Sequence, residues 1–505
     1  MAMADTGAVP EWLQQLDWRL LVCVALGAIL VVEQVSYKRR AQHLPGPALV
    51  LPFFGNVVSM VRNPTKFWDD QAWAARKCGL SWNVLFGRFV VFVRDSELSQ
   101  KIFANVKPEL FHLIVHPFGK KLFGKSNIIF KFGEEHKDLR RRLAPLFTPK
   151  ALGVYVSIQE NTIRKHIVKW LKMAKNAEPA ELRLFCREMN LDTSQNVFVG
   201  PYLSASARTQ ITLDYYLFNV GLMKLPVYLP GFSFYNAAHA VQRLVRTLEE
   251  CASQSKQRMR EGHEPTCLVD FWMVETLREM KEAEQAGSPP PPHSSDMEIA
   301  QHVFDFLFAA QDASTSSLVW VATLLEQNPK VLEKIREEQR RIRCDPNSPI
   351  TPKQLREMRY TEMVVKEVLR FRPPATLVPH IANVDFQLTD SYVVPKGTIV
   401  FPSLLESSFQ GFSNPYTFDP DRFSPERVED QVYKRNWLLF GAGPHQCLGQ
   451  RYAINHLMLF TALFCRLASW TRIRTPGCDE IMYTPTIVPK DGCLVSLSAR
   501  QEDDD

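Results

Sequence analysis

The chain has 505 residues, 46% of them hydrophobic, with a formal net charge of +6. This is an ordinary globular composition with ample material for a large core, and its mild positive balance suits membrane or acidic partners without calling for nucleic acid. Its ten cysteines stand singly, with no C-x-x-C pair; that excludes a zinc ribbon or a cluster of closely spaced thiols, and leaves reduced, mostly core cysteines with room for one special one.

In chain order the first element is apolar. Leu20 to Val32 is an unbroken apolar run, and read from Trp18 to Tyr37 it reaches the ~20 mostly apolar residues that a membrane span needs. Asp5, Glu11 and Asp17 precede it and Lys38-Arg39-Arg40 follow, so the positive-inside rule keeps the rest of the chain in the cytoplasm. A cleaved signal peptide needs a basic start and a small-residue cleavage site; this segment starts acidic and ends VVEQVSYKRR. Residues 1–40 are therefore read as an uncleaved anchor. Pro45, Pro47 and Pro52 stiffen residues 41–56 into a hinge segment, and residues 57–505 form the catalytic body.

Residues 83–95 read as a hairpin around Gly87-Arg88. From there to Asn328 the pattern is mainly helical, broken by one polar, proline-rich linker at 282–295. The segment PVYLPGFSFY, 226–235, is either a membrane-dipping substrate entrance or a proline-broken loop with buried aromatics. Residues 299–329 predict a long helix stopped at Asn328-Pro329. Asp305, Ala309, Asp312, Ala313 and Ser316 share one face of it, and their small side chains admit either a bulky group or a closely packed neighbour. Further on, Glu367 and Arg370 stand one helical turn apart, and Arg422 lies in a proline-bounded loop; two guanidiniums there can answer one buried acid.

Near the end stands FGAGPHQCLGQRYAINH, 440–456. Gly441, Gly443 and Gly449 let the backbone curl around Cys447. A helix starting just after it aims its positive end at the sulfur, which favours thiolate, the form that ligates metal. A single cysteine thiolate is the axial ligand of iron in some haem proteins.

At this point the chain resembles the cytochrome P-450 family of haem-thiolate monooxygenases. Phe440, Gly443, Cys447 and Gly449 match the family's F-x-x-G-x-x-x-C-x-G loop, Glu367 and Arg370 its E-x-x-R helix, and Arg422 its P-x-R-F loop. The resemblance implies a single mainly α domain with a small β portion, so the ~150-residue-per-domain prior misleads here. It also implies haem on the Cys447 thiolate. His445 stands where the family usually has arginine. His136 replaces the tryptophan of W-x-x-x-R while Arg140 is kept, and His380 follows the Pro373-Pro374 turn; all four are implied partners of the haem propionates. The family's A-G-x-D/E-T-T aligns with residues 309–314, so the acid is Asp312 and Ala313 stands in place of the oxygen-activating threonine. Ser314, Thr315 or water on Asp312 would have to substitute.

AAQDAST, with histidine at both departures, looks like the sterol C-22 desaturase branch, most like its plant members. That implies an endoplasmic-reticulum enzyme placing a Δ22 double bond in a sterol side chain, sitosterol to stigmasterol, with O2 and with NADPH electrons from NADPH–cytochrome P-450 reductase. By family position Phe111 to Phe118, Phe308, Ala309, Ala313, Thr376, Leu377, Val378 and Thr486 to Val488, including Ile487, line the pocket or else belong to an ordinary core. Lys137, Arg141, Arg142, Lys434 and Arg435 either meet the reductase's acidic surface or form a solvated basic face. A sterol or steroid hydroxylase or demethylase of the family, an O2-independent hydroperoxide-rearranging enzyme, and a silent haem-binding sterol carrier are the rival functions.

Overall fold

The computed structural model describes residues 18–114, 119–124, 126–174, 179–222, 224, 226–483 and 486–500. The longer helices are, in chain order, α1 (Trp18–Ala41), α2 (Gly133–Leu143), α3 (Pro149–Met173), α4 (Leu182–Phe198), α5 (Ala205–Leu222), α6 (Ser233–Arg260), α7 (Leu268–Gln285), α8 (Asp296–Gln327), α9 (Pro329–Ile342), α10 (Arg359–Phe371) and α11 (Gln450–Leu467). The strands are β1 (Leu80–Leu85), β2 (Arg88–Val93), β3 (Phe111–Leu113), β4 (Ala180–Glu181), β5 (His380–Ala382), β6 (Phe386–Thr389), β7 (Tyr392–Val394), β8 (Ile399–Pro402), β9 (Ala468–Arg472), β10 (Ile481–Tyr483), β11 (Ile487–Pro489) and β12 (Leu494–Ala499). This is the expected mainly α architecture with a small β portion.

The β portion begins with the predicted hairpin. β1 and β2 pair antiparallel with Leu85 opposite Arg88. The two linking residues, Phe86 and Gly87, have φ of 50° and 68°, the double left-handed step that suits the twist of a two-residue hairpin. The sheet continues in the order β1-β2-β8-β5-β3. Its core takes in Trp82, Phe89, Phe111 and Tyr392, and also Tyr37, Ala41, Leu44 and Val50. The end of α1 and the segment after it are therefore packed onto the body. The Gln34 side chain accepts from Val50 N–H (3.2 Å) and donates to Val50 O (2.8 Å), closing a two-bond amide pair. Arg19–Ala41, nearly the whole of α1, is long and apolar enough to cross a membrane, its most apolar stretch having mean hydropathy 2.1 and little of it buried in the protein.

The helical portion is organised by α8. Ser295 and Glu298 form a reciprocal capping box at its start, satisfying two of the backbone donors a helix leaves open. Pro329 starts the next helix and ends this one. The first half of α8 contributes Val303, Phe304 and Leu307 to one apolar cluster, shared with α5, α6 and α7. Its second half contributes Leu318 to Leu325 to another, shared with α10 and α11. Residues 282–285, read above as linker, are the last turn of α7. Glu-Ala-Glu-Gln are good helix formers, and Gly287, with φ 63°, follows the end. Of the aromatics in 226–235, Tyr228 and Phe232 are exposed and only Phe234, already inside α6, is fully buried.

A closed charge cluster ties α10 to the segment 408–429. Glu367, Arg370 and Arg422 are all 0% exposed. Arg370 holds Glu367 through two bonds of 2.7 and 2.8 Å. Arg422 Nε adds a third at 3.0 Å and the Asp419 N–H a fourth at 2.8 Å. Glu429 accepts from Arg422 at 3.0 Å, and the remaining guanidinium N–H groups donate to carbonyls of Ser408, Ser413, Pro415 and Thr417. Arg427 also pairs with Glu429 and with Asp419, so three acids answer three arginines and the cluster is neutral and satisfied, which a buried ionic group requires.

Candidate functional site

Backbone chemistry shapes the loop around Cys447. Gly441 and Gly443 both have φ of 71°, and a Cβ on Gly443 would lie 2.4 Å from Phe103 O; only glycine fits there. The Cys447 N–H donates to Phe440 O at 2.9 Å, closing the loop. α11 then starts at Gln450 with Gly449 as its cap, and the Gly449 N–H points back to the sulfur. Burial raises the pKa of the free thiol, against the pull of that N–H and of Arg140. A bound cation reverses the balance, since a coordinating thiol is deprotonated outright.

Cys447 has open surface, yet burial is the largest influence on its thiol. The opening therefore faces an internal chamber. The same holds on α8, where Ala309 is exposed between the half-buried Phe308 and Ala310, and Ala313 is half-buried between the buried Asp312 and Ser314. A long core helix with a bare window midway is a wall against which a large planar group can lie.

Four basic side chains gather beside the cysteine loop. The rings of His136, on α2, and His445 stack at 3.8 Å and 23°. Arg140, one turn further along α2, donates to Gln446 O at 2.6 Å. His380, at the start of β5, is bonded through Nδ1 to Val378 O at 2.8 Å, which leaves Nε2 free. Burial and the neighbouring His136, His380 and Arg140 push His445 down to about 3. Burial, then Arg140, lowers His136 to about 4, and burial lowers His380 to about 4 despite the Val378 carbonyl. Among the described residues no carboxylate pairs with any of the four. Buried bases with no acid are costly, and an anionic ligand such as a pair of propionates supplies the missing charge. No three His, Cys, Asp or Glu side chains cluster as metal ligands among the described residues. A lone thiolate then holds iron only where a macrocycle brings the other donors, so these residues fit haem.

A sequence model of the family Cytochrome P450 matches residues 45–479. This chain belongs to the cytochrome P-450 family. Over 480 residues it is 54% identical to "Cytochrome P450 710A2" of Arabidopsis thaliana, covering 94% of this chain and 95% of that one. Over 492 residues it is 35% identical to "C-22 sterol desaturase ERG5A" of Gibberella zeae, covering 94% and 90%. The solved structure of retinoic acid-bound cyanobacterial CYP120A1 superposes with a TM-score of 0.74 at 23% identity, over 89% of this chain and 98% of that one; it establishes the fold. A P-450 carries haem on a cysteine thiolate and takes its electrons from a redox partner, generally NADPH–cytochrome P-450 reductase, using O2 and an organic substrate. Cys493, also near the C-terminus, is fully buried and accepts from Thr323 Oγ1 at 3.4 Å, away from the four bases.

The acid of α8 has a partner that sequence reading missed. Arg187, on α4, donates to Asp312 Oδ1 at 2.9 Å, while Asp312 Oδ2 is buried with no partner among the described residues. Burial raises the Asp312 pKa, and Arg187 and Arg183 oppose the rise. Asn190, one turn beyond Arg187, donates to Gln311 O at 2.7 Å. Arg183, Arg187 and Asn190 share one face of α4, but the helix also carries Glu188, Asp192, Thr193, Ser194, Gln195 and Asn196, so nothing in the sequence singled them out.

The structure places the other expected positions as follows. Thr315 is drawn away from the chamber: its hydroxyl donates to Gln311 O at 2.7 Å and accepts from Asn190 on α4. Phe111 is a sheet-core residue, 0% exposed, edge-on to Phe386 at 4.9 Å. Ile487 is also 0% exposed, with its carbonyl bonded to Ser316 and Trp320. Thr376 is buried, its carbonyl accepting from Leu404 N–H. Phe308 is half-buried against Phe123 and Phe218; Leu377, Val378 and Thr486 are half-buried. Phe118 lies outside the described residues. Arg142 is no surface charge: it is buried and paired with Asp138 and Glu279. Lys137, Arg141 and Arg435 are exposed with acidic neighbours, and Lys434 is exposed.

Proposed function

We propose that this chain is a sterol C-22 desaturase. The full-length similarity to relatives named C-22 sterol desaturase carries the reading. Haem bound there supplies O2 activation. Cys447 would be its axial ligand, and His136, Arg140, His380 and His445 would hold its propionates. Phe440, Gly441 and Gly449 shape the loop, and Asp312 holds the proton-bearing carboxyl. Ala309, Ala313, Phe308, Leu377 and Val378 give an apolar wall that suits a sterol, and its fixed geometry decides whether a second hydrogen leaves before hydroxylation.

The proposed reaction balances as one sterol, O2, NADPH and H+ giving the Δ22 alkene, two waters and NADP+. Residues 1–40 would anchor the enzyme in the endoplasmic reticulum membrane, residues 41–56 would join anchor to body, and 57–505 would be the cytoplasmic catalytic domain. Lys137, Arg141, Lys434 and Arg435 would meet the reductase.

The experiment uses membranes carrying the protein with reductase, NADPH and sitosterol, and mass spectrometry of the sterols. Stigmasterol that depends on NADPH and O2, and vanishes in Cys447→Ala but not in Cys493→Ala, is the expected result. A side-chain alcohol instead would favour the hydroxylase reading and overturn the desaturase one.

A further inference from the structure

Ala313 has no hydroxyl, so the wall beside Asp312 must order water some other way. The serines and threonines of α8 are poorly placed to do it. Thr315 bonds Gln311 O, Ser316 bonds Ile487 O at 2.5 Å, and Ser317 bonds Ala313 O at 3.0 Å. Ser314 is buried and, at 3.6 residues per turn, lies roughly 140° around the helix from the open Ala309.

The same helical arithmetic places Ser316 and Trp320 within roughly 20° of Ala309, about two and about three turns further along. Both side chains donate to a single carbonyl, that of Ile487, at 2.5 and 3.0 Å. β11 is thus stitched across the chamber face of α8, and the residue before it, Thr486, lies beside Asp312. Its hydroxyl donates to the Asp312 carbonyl at 3.3 Å. The side chain is half-buried and keeps open surface. Its oxygen retains acceptor capacity.

The geometry points to Thr486 as the positioning residue that supplies, from a strand, the hydroxyl that Ala313 lacks on the helix: it holds a chamber water beside Asp312. This rests on the family assignment and on the proposed use of Asp312 as proton source. The carboxyl passes its proton to the water as the water gives up one of its own to the oxygen being reduced, and the carboxylate is reprotonated from solvent; Thr486 holds the water's orientation and is left chemically unchanged. Two further hydroxyls near this wall are occupied otherwise. Thr376 is buried and bonded to Tyr483, and Tyr483 is itself the partner of that bond.

The test compares Thr486→Val, nearly the same shape without the hydroxyl, with Thr486→Ser, in full-length protein with reductase. Thr486→Val is expected to lower product formed per NADPH by about tenfold, the worth of one positioned hydrogen bond, with electrons diverted to peroxide. Sterol KM and thermal unfolding should stay near wild type, and Thr486→Ser should restore coupling; a purely structural role would move KM and unfolding together. A readout without turnover is the absorption spectrum of the resting, sterol-free protein, which reports water held at the iron. It should shift in Thr486→Val and return in Thr486→Ser. Wild-type coupling and spectrum in Thr486→Val, with uncoupling in Ser314→Ala instead, would overturn the inference. If wild type makes no alkene from sitosterol, the desaturase reading fails, while the spectrum and the NADPH-to-peroxide partition still decide the role of Thr486.

Discussion

Two groups of buried or half-buried bases lie within the same body and differ chiefly in how their charge is answered. Around Glu367, Arg370 and Arg422 every guanidinium N–H has an acceptor, and Glu367, Glu429 and Asp419 cancel the charge of Arg370, Arg422 and Arg427. Around Cys447, the bases His136, Arg140, His380 and His445 gather with no acid among the described residues; burial depresses the three imidazoles, and neighbouring bases add to it at His136 and His445. A closed group of buried charges serves the fold. An open one is waiting for a ligand.

Breaking the closed group should have the largest effect. Glu367→Ala leaves the buried Arg370 without its acid and Arg422 with Glu429 alone, and should cost about 3–5 kcal/mol, the toll of an uncompensated buried ion. Denaturant unfolding, and the yield of protein with a haem–carbon monoxide band, would measure it. Full stability in that variant would remove the distinction between the two groups.

His456 offers a third kind of buried base, with neither acid nor ligand. Both its ring nitrogens lack partners among the described residues, and burial lowers its pKa from 6.5 to about 4. A folded pKa below the unfolded one contributes stability that is present above pH 6.5 and lost as pH falls towards about 4. The loss should be of order 3 kcal/mol, and His456→Phe should flatten the stability–pH curve over that window.

Breaking the open group should spare the fold. Arg140→Ala removes a repulsive neighbour from His136 and His445, so unfolding of the haem-free protein should change little. Haem affinity should fall roughly 10–100-fold, the worth of one charge-assisted bond, read by transfer of haem to an acceptor protein. A variant that unfolds yet keeps its haem affinity would reverse the assignment.

Arg187 sits between the two cases, since it answers only one oxygen of Asp312. Without it burial acts unopposed on the carboxyl, apart from Arg183. Arg187→Leu should therefore move the alkaline limb of the pH–coupling profile up by about one pH unit. The smallest effect is expected on the exposed face. Charge reversal at Lys434 and Arg435 should raise the reductase KM several-fold at low salt, an effect lost at high salt, and leave stability within about 0.5 kcal/mol.

The residues that could be read in the linear chain share a property. Glycines 441, 443 and 449 flank Cys447 closely; Glu367 and Arg370 are one turn apart; the apolar run of α1 is continuous; the hairpin turn is two residues long. Each is a local constraint, satisfied within a few residues of backbone, so spacing and residue type display it. Arg187 and Asp312 are 125 positions apart, and Thr486 and Asp312 are 174; nothing local marks either pair. Phe111 and Phe308 are the same residue type in equally apolar surroundings, yet one closes a sheet core and the other faces α5 across half-buried space. The sequence by itself determined the family, the loop that presents one thiolate, the acid of α8 and the loss of its neighbouring hydroxyl. Only the tertiary structure decided which buried bases are answered by acids, which hydroxyls are consumed by helix carbonyls and which strand crosses the open face of α8. Charge balance and hydrogen-bond satisfaction are sums over neighbours in space, and those neighbours exist only once the helices have packed.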